Sequence, residues 1–159
     1  MPQDQRPSVI SISYGSVESD FTLAQAQTMC NAAQKLTAQG MTIVVSSGDS
    51  GVNGQGSTSS TCPPFIPTYP SGCQYILSVG ATQGFSPEVA TGTDVAGFYG
   101  GAGFSNYFPT PSYQKNDVSK YLSSLGSSQA GNFNAGGRGY PDVSAQYVPS
   151  FLVLVSLDT

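Results

Sequence analysis

Two short β-branched runs bracket one amphipathic stretch, and this pattern constrains the chain more than any other feature. Ser8-Val9-Ile10-Ser11-Ile12-Ser13 reads as a β-strand. Tyr14-Gly15-Ser16 ends it. Asp20 is placed to cap a helix over residues 21–39, in which Leu23, Ala26, Met29/Cys30, Ala33 and Leu36 recur every three or four residues. Gly40 stands where glycine commonly closes a helix. Met41-Thr42-Ile43-Val44-Val45-Ser46 reads as a second, buried strand. Strand, helix and strand in this span form a βαβ unit, which requires a parallel strand pair. The expected class is therefore α/β with a mainly parallel sheet.

The rest of the chain is less regular. Residues 75–79 read as a third strand, 52–72 as loop and 85–103 as irregular structure. Residues 111–125 suggest a short helix with Pro111 near its start. Residues 126–139 are glycine-rich and read as loop, and residues 151–157 are apolar. Neither an internal repeat nor a second-domain boundary is visible.

Composition narrows the chemistry. No histidine is present, which removes Ser-His-Asp and Cys-His catalysis and any His-containing zinc site. Five Lys and Arg against nine Asp and Glu give a net charge of −4, the wrong sign for a nucleic-acid footprint. No apolar run approaches the about 18 residues of a membrane span. Residues 1–6 contain no apolar signal core. Only 9% of residues are charged, against about 25% in an average soluble domain. Such a composition, rich in Ser, Thr and Gly, suits a secreted or acid-exposed protein.

Of the three cysteines, Cys62 and Cys73 flank the proline-rich segment Pro63-Pro64-Phe65-Ile66-Pro67. A disulfide between them would close that loop in an oxidising compartment, and two free thiols are the alternative. Cys30 falls on the apolar helix pattern and is expected to act as a small buried hydrophobe.

Gly48-Asp49-Ser50-Gly51 follows the second strand. Gly-Asp-Ser-Gly is a nucleophile motif of chymotrypsin-like peptidases, but that chemistry needs a histidine base, and there is none. A glycine-rich turn without a role is the bland alternative. Position argues for a third reading. Ligands of open α/β sheets bind beyond the carboxyl ends of parallel strands, where Tyr14-Gly15 and Gly48-Asp49 both lie. An Asp there, if protonated, can donate a hydrogen bond to a developing oxyanion; if ionised, it cannot.

These blocks, in order, resemble the sedolisins. The resemblance runs from Ser8 to Gly15 through Val44-Val45-Ser46-Ser47-Gly48-Asp49-Ser50-Gly51. It continues with Phe65-Ile66-Pro67-Thr68-Tyr69-Pro70 and Ile76-Leu77-Ser78-Val79-Gly80-Ala81-Thr82. Gly103-Phe104-Ser105-Asn106-Tyr107-Phe108 and Gly137-Arg138-Gly139-Tyr140-Pro141-Asp142-Val143-Ser144-Ala145 complete it. Sedolisins are serine-carboxyl peptidases with a subtilisin-like fold, and they include tripeptidyl peptidases. The likeness is nearest to fungal-type secreted members and implies an acidic working pH.

The resemblance implies a partial three-layer α/β/α domain over residues 1–146, followed by a divergent apolar tail over 147–159. Asp49 matches the oxyanion-hole aspartate. Ser13, Tyr14 and Gly15 match the strand end that pairs with substrate backbone, and Ser47 and Gly48 line the same cleft. Gly100-Gly101-Ala102-Gly103 falls where the family shows Ser-Gly-Gly-Gly and departs at two positions; a flexible loop before Phe104 is the alternative. Arg138 and Asp142 match a signature and are expected to serve structure, as an ion pair. Glu18 is expected in an exposed turn.

The family's Gly-Thr-Ser-x-x-x-Pro nucleophile motif does not occur, and neither Glu18 nor Glu88 matches its Glu base. The expected function is therefore a segment of a secreted acid peptidase that is not hydrolytic alone. The alternative is a non-catalytic peptide- or protein-binding module, with a homodimer as one form of it. No cofactor or metal is expected in this chain, since the family's calcium site lies downstream of the nucleophile. Expected partners are a peptide or protein, a second copy, or complementing peptidase segments, with no nucleic acid and no membrane. The expected location is extracellular or an acidic compartment.

Overall fold

A computed structural model describes residues 6–54 and 64–147. The first βαβ unit forms as the sequence dictates. Strand β1 spans Val9–Ile12, helix α1 spans Leu23–Thr37 and strand β3 spans Thr42–Ser46. Between β1 and α1 lie the short strand β2 (Ser16–Val17) and a 3₁₀ turn over Glu18–Asp20. β1 and β3 pair in parallel, Val9 opposite Thr42 and Ile12 opposite Val45.

Helix α1 is capped by Thr22 rather than Asp20. The Thr22 hydroxyl accepts from the Gln25 N–H at 3.3 Å, and the Gln25 side chain accepts from the Thr22 N–H at 2.9 Å. This reciprocal pair satisfies two of the orphan donors of the first turn. Asp20 is unavailable because it belongs to the 3₁₀ turn, where its carboxylate accepts from the Ser16 hydroxyl. Ala26, Cys30 and Ala33 form the buried stripe of α1, and β3 supplies Ile43 and Val45 to the same cluster. Small residues on the helix let its backbone come close to the sheet.

Strand β4 (Thr68–Tyr69) pairs antiparallel with β2 inside the span read as loop. Strand β5 (Leu77–Gln83) starts later and runs further than residues 75–79. Its extension has no apolar run of its own; it is held by two partners. Strand β9 (Val143–Gln146) lies parallel to Val79–Thr82, and strand β6 (Val89–Ala90) lies antiparallel to Thr82 and Gln83. Strand β7 (Gly103–Pro109) and strand β8 (Gly137–Tyr140) form an antiparallel ribbon, so the end of the glycine-rich stretch is strand and not loop. Helix α2 (Lys115–Leu125) follows a 3₁₀ turn over Ser112–Gln114.

The sheet order β1-β3-β5-β9 is parallel throughout. α1 covers one face. Val9, Leu77 and Val143 share the other face and stay exposed. A cavity of about 810 Å³, lined by Leu77, Phe104, Val118, Tyr121 and Phe133, lies beside α2. Parallel sheets are normally covered on both faces; the described residues close one. The apolar stretch 151–157 lies outside them.

The cysteine expectation is corrected. Cys73 is bonded to Cys30, with Cα atoms 5.5 Å apart, so it is not paired with Cys62, which lies outside the described residues. Cys30 is buried as expected but is not a free thiol. The helix stripe carries Cys30 to the sheet side, where Cys73 sits fully buried after β4. The bond joins α1 to the Pro70–Cys73 corner.

Candidate functional site

The carboxyl ends of β1 and β3 are neighbours, so their following loops share one crevice. Ser13, Tyr14, Gly15, Ser47, Gly48 and Asp49 all line a cleft of about 220 Å³. Every cleft residue named from the sequence is thus brought together. Ser46 at the end of β3 lines it too, and three residues from the β4 side complete the walls: Thr68, Tyr69 and Ser71. These were not legible in the sequence, because their role depends on β4 folding back across the β3 loop.

Hydrogen bonds fix the backbone that carries Asp49. The Thr68 hydroxyl donates to the Ser47 carbonyl at 3.0 Å, and the Ser71 hydroxyl donates to the Ser46 carbonyl at 3.3 Å. The Thr68 N–H in turn donates to the Tyr140 hydroxyl at 2.8 Å. On the other side, the Gly101 N–H donates to the Gly48 carbonyl at 2.6 Å and the Tyr99 N–H to the Asp49 carbonyl at 3.2 Å. Residues 99–102 therefore run as a brace along the turn. Glycine is required at Gly101: an added Cβ would lie 2.3 Å from the Ser47 carbonyl oxygen. Gly101→Ala is expected to push the Asp49 turn outward and cost about 1–3 kcal/mol, as overpacking does. Urea unfolding measures this, and an unchanged midpoint would show that the brace is slack.

Asp49 is solvent-exposed, and among the described residues no donor engages its carboxyl. The group is free to meet a ligand in the cleft. A protonated carboxyl so placed can donate to a carbonyl oxygen that gains negative charge.

Two of the described serines have carboxylate partners. The Ser16 hydroxyl donates to Asp20 on the surface, and the Ser105 hydroxyl donates to Glu18 in the interior. A serine hydroxyl bonded to a carboxylate is the arrangement of an activated nucleophile. Ser105 cannot act as one. It is fully buried, and its Oγ already accepts the N–H groups of Tyr107 and Phe108 at 3.0 and 2.9 Å. Both lone pairs are committed.

Glu18 corrects the exposed-turn expectation, being 1% exposed. The turn places it between β2 and β7, where the Asn106 N–H donates to its Oε2 at 2.7 Å. Desolvation raises its pKa, opposed chiefly by the hydrogen bonds from Ser105 and Asn106. The folded chain therefore holds this proton more tightly than the unfolded chain. That contribution to stability is present in acid and is lost as pH rises through the raised value. Arg138 and Asp142 form the expected ion pair, with Nη2 2.5 Å from Oδ2. The pair ties β8 to the start of β9, away from the cleft. Among the described residues no cluster of His, Cys, Asp or Glu is arranged to hold a metal. No helix there is long and apolar enough to cross a membrane.

Parallel strands feeding a cleft that carries an unpartnered Asp give an open α/β sheet with a ligand crevice at its carboxyl edge. The chain belongs to the subtilase family, whose model matches residues 1–147, and within it the chain is sedolisin-like. It is 36% identical over 148 residues to tripeptidyl-peptidase SED2 of Arthroderma otae, covering 92% of this chain and 24% of that one. It is 41% identical over 140 residues to tripeptidyl-peptidase 1 of Macaca fascicularis, covering 87% and 24%. Among solved structures it resembles a Pseudomonas sedolisin, a serine-carboxyl proteinase complexed with two molecules of pseudo-iodotyrostatin. That match has a TM-score of 0.67 and 27% identity, covering 89% of this chain and 38% of the other. The chain thus spans about a quarter of the length of the curated relatives.

Proposed function

We propose that these residues form the oxyanion side of the substrate cleft of an acid serine-carboxyl peptidase of tripeptidyl-peptidase type. The observation that carries this reading is the convergence of Asp49 with the Ser13–Gly15 strand end in one cleft. In that cleft an extended peptide pairs with the Ser13–Gly15 backbone. Its scissile carbonyl then points at the protonated Asp49 carboxyl. Donation strengthens as the carbonyl oxygen becomes negative, so the transition state gains more than the ground state. The need for a protonated Asp restricts this role to acid and fits an extracellular or acidic compartment.

The same residues do not supply a nucleophile with a base. Of the described serines bonded to a carboxylate, Ser105 is buried, and Ser16 pairs with an exposed Asp20 outside the cleft lining. The nucleophile and its base belong to complementing peptidase segments. The 159-residue chain, assayed at about pH 4 with a tripeptidyl reporter substrate, is expected to show no turnover. Turnover abolished by a serine-directed inactivator would overturn this division of labour. Binding of a peptide without turnover would agree with it.

A further inference from the structure

Glu18 is the one buried carboxyl of the described residues, and the proposed chemistry does not use it. Its surroundings connect it to both walls of the cleft. Going toward the N-terminus, Glu18 is three residues from Gly15. β2 carries that segment alongside β4, with Ser16 opposite Tyr69 and Val17 opposite Thr68. The Glu18 N–H donates to the Pro67 carbonyl at 2.8 Å, locking the turn to the start of β4. The carboxyl reaches the other wall. Gly72 packs so tightly on it that an added Cβ would lie 2.9 Å from Oε1 and 3.2 Å from the Ser105 Cβ. Ser71, the neighbour of Gly72, holds the Ser46 carbonyl.

The hydrogen-bond inventory leaves the carboxyl little freedom. Ser105 Oγ accepts two N–H groups, so its own proton must go to Glu18 Oε1. Oε2 accepts from Asn106. The site is therefore arranged around an acceptor, yet among the described residues no cation is bonded to it. The titratable groups facing Glu18 are Tyr69 from β4 and Tyr140 from β8, and Asp20 lies on its own turn. Burial holds both tyrosines neutral, Tyr69 up to about 12.

We propose that Glu18 is a positioning residue for the cleft: its carboxyl sets the spacing between the Tyr14-Gly15 wall and the Ser71-Gly72 wall, so that its ionisation moves both. This gives the cleft a second acid-dependent element, separate from Asp49. The inference deepens the proposed peptidase role but is tested without any substrate.

The experiment follows backbone amide and carboxyl resonances of the isotope-labelled 159-residue chain from about pH 3 to about pH 8. The amides of Gly15, Ser71 and Gly72 are expected to shift with the midpoint of the Glu18 carboxyl. Asp49→Asn should leave that transition in place. Ser105→Ala removes one donor to the carboxylate, so the Glu18 midpoint should rise by about 1–2 pH units, with the cleft amides following it. Glu18→Gln should abolish the shared transition; if that variant does not fold, Ser105→Ala alone decides. Cleft amides that stay flat through the Glu18 midpoint would overturn the proposal. So would cleft amides that do not follow the midpoint in Ser105→Ala. Neither result bears on whether Asp49 binds a substrate carbonyl.

Discussion

Replacing Arg138 by leucine is expected to cost about 3–5 kcal/mol of folding stability, the usual penalty for breaking a buried ion pair from one side. Arg138 is fully buried. Its guanidinium donates to the Gly139 carbonyl at 2.8 Å, to the Ile76 carbonyl at 3.0 Å and to Asp142. Without it, Asp142 keeps only the Ser78 N–H and the Gln114 amide, each at 2.8 Å, and holds a nearly buried charge with no counter-ion. The Ile76 carbonyl, at the entry to β5, loses its donor as well. Lysine is not an adequate substitute, because one ammonium cannot span acceptors on both sides of the planar fork. The urea midpoint should fall sharply for Arg138→Leu and recover in part when Asp142→Asn is added, since the stranded charge is then gone. A loss under about 1 kcal/mol would mean that the pair is incidental to the fold.

Loss of the Cys30–Cys73 disulfide is the second large effect. The bond closes a loop across a separation of 43 residues. Chain entropy alone assigns such a cross-link about 4 kcal/mol, since the cross-linked unfolded chain has fewer conformations to lose on folding. For a chain of this size the corresponding fall in Tm is about 8–16 °C. Cys73→Ala and Cys30→Ala should lower Tm alike, and the double variant no further, because either change removes the same bond. Cys62→Ser should leave Tm unchanged. A fall in Tm for Cys62→Ser equal to that of Cys73→Ala would restore the pairing that the Pro63–Pro67 loop suggests. The bond also anchors the residue next to Gly72, so its reduction should loosen the cleft wall before the sheet unfolds.

The parts of this fold that the sequence shows are those made by near neighbours. The βαβ unit is legible because Leu23, Ala26, Cys30, Ala33 and Leu36 repeat at helical spacing between two β-branched runs. The cleft is legible because position alone places Tyr14-Gly15 and Gly48-Asp49 at the carboxyl ends of adjacent parallel strands. What remains hidden is set by partners far along the chain. Glu18 reads as a surface residue until Ser105 and Asn106, 87 and 88 residues away, reach it. The second half of β5 has no apolar run because β9, from the far end of the described chain, supplies its pairing. Thr68 lies in a block of the resemblance and Ser71 in none, and for both only the return of β4 against the β3 loop gives them work. The Cys30–Cys73 pairing did leave a trace. Cys30 lies on the Ala26–Ala33 stripe and so faces the core, whereas proximity in sequence favoured Cys62.

Asp49 carries the proposed chemistry, and binding of a peptide aldehyde to the 159-residue chain tests it most directly. The measurement is the dissociation constant from about pH 3 to about pH 8 for the parent chain, Asp49→Asn and Asp49→Ala. The parent chain should bind in acid and more weakly at neutral pH, since a carboxylic acid donates a hydrogen bond and a carboxylate does not. Asp49→Asn keeps an N–H donor at every pH, so its binding should persist to neutral pH. Asp49→Ala has no donor and should bind about 10²-fold more weakly in acid, the scale of one lost oxyanion donor. Affinity that is flat across this range in the parent chain, or unchanged by Asp49→Ala, would contradict the assignment of this cleft.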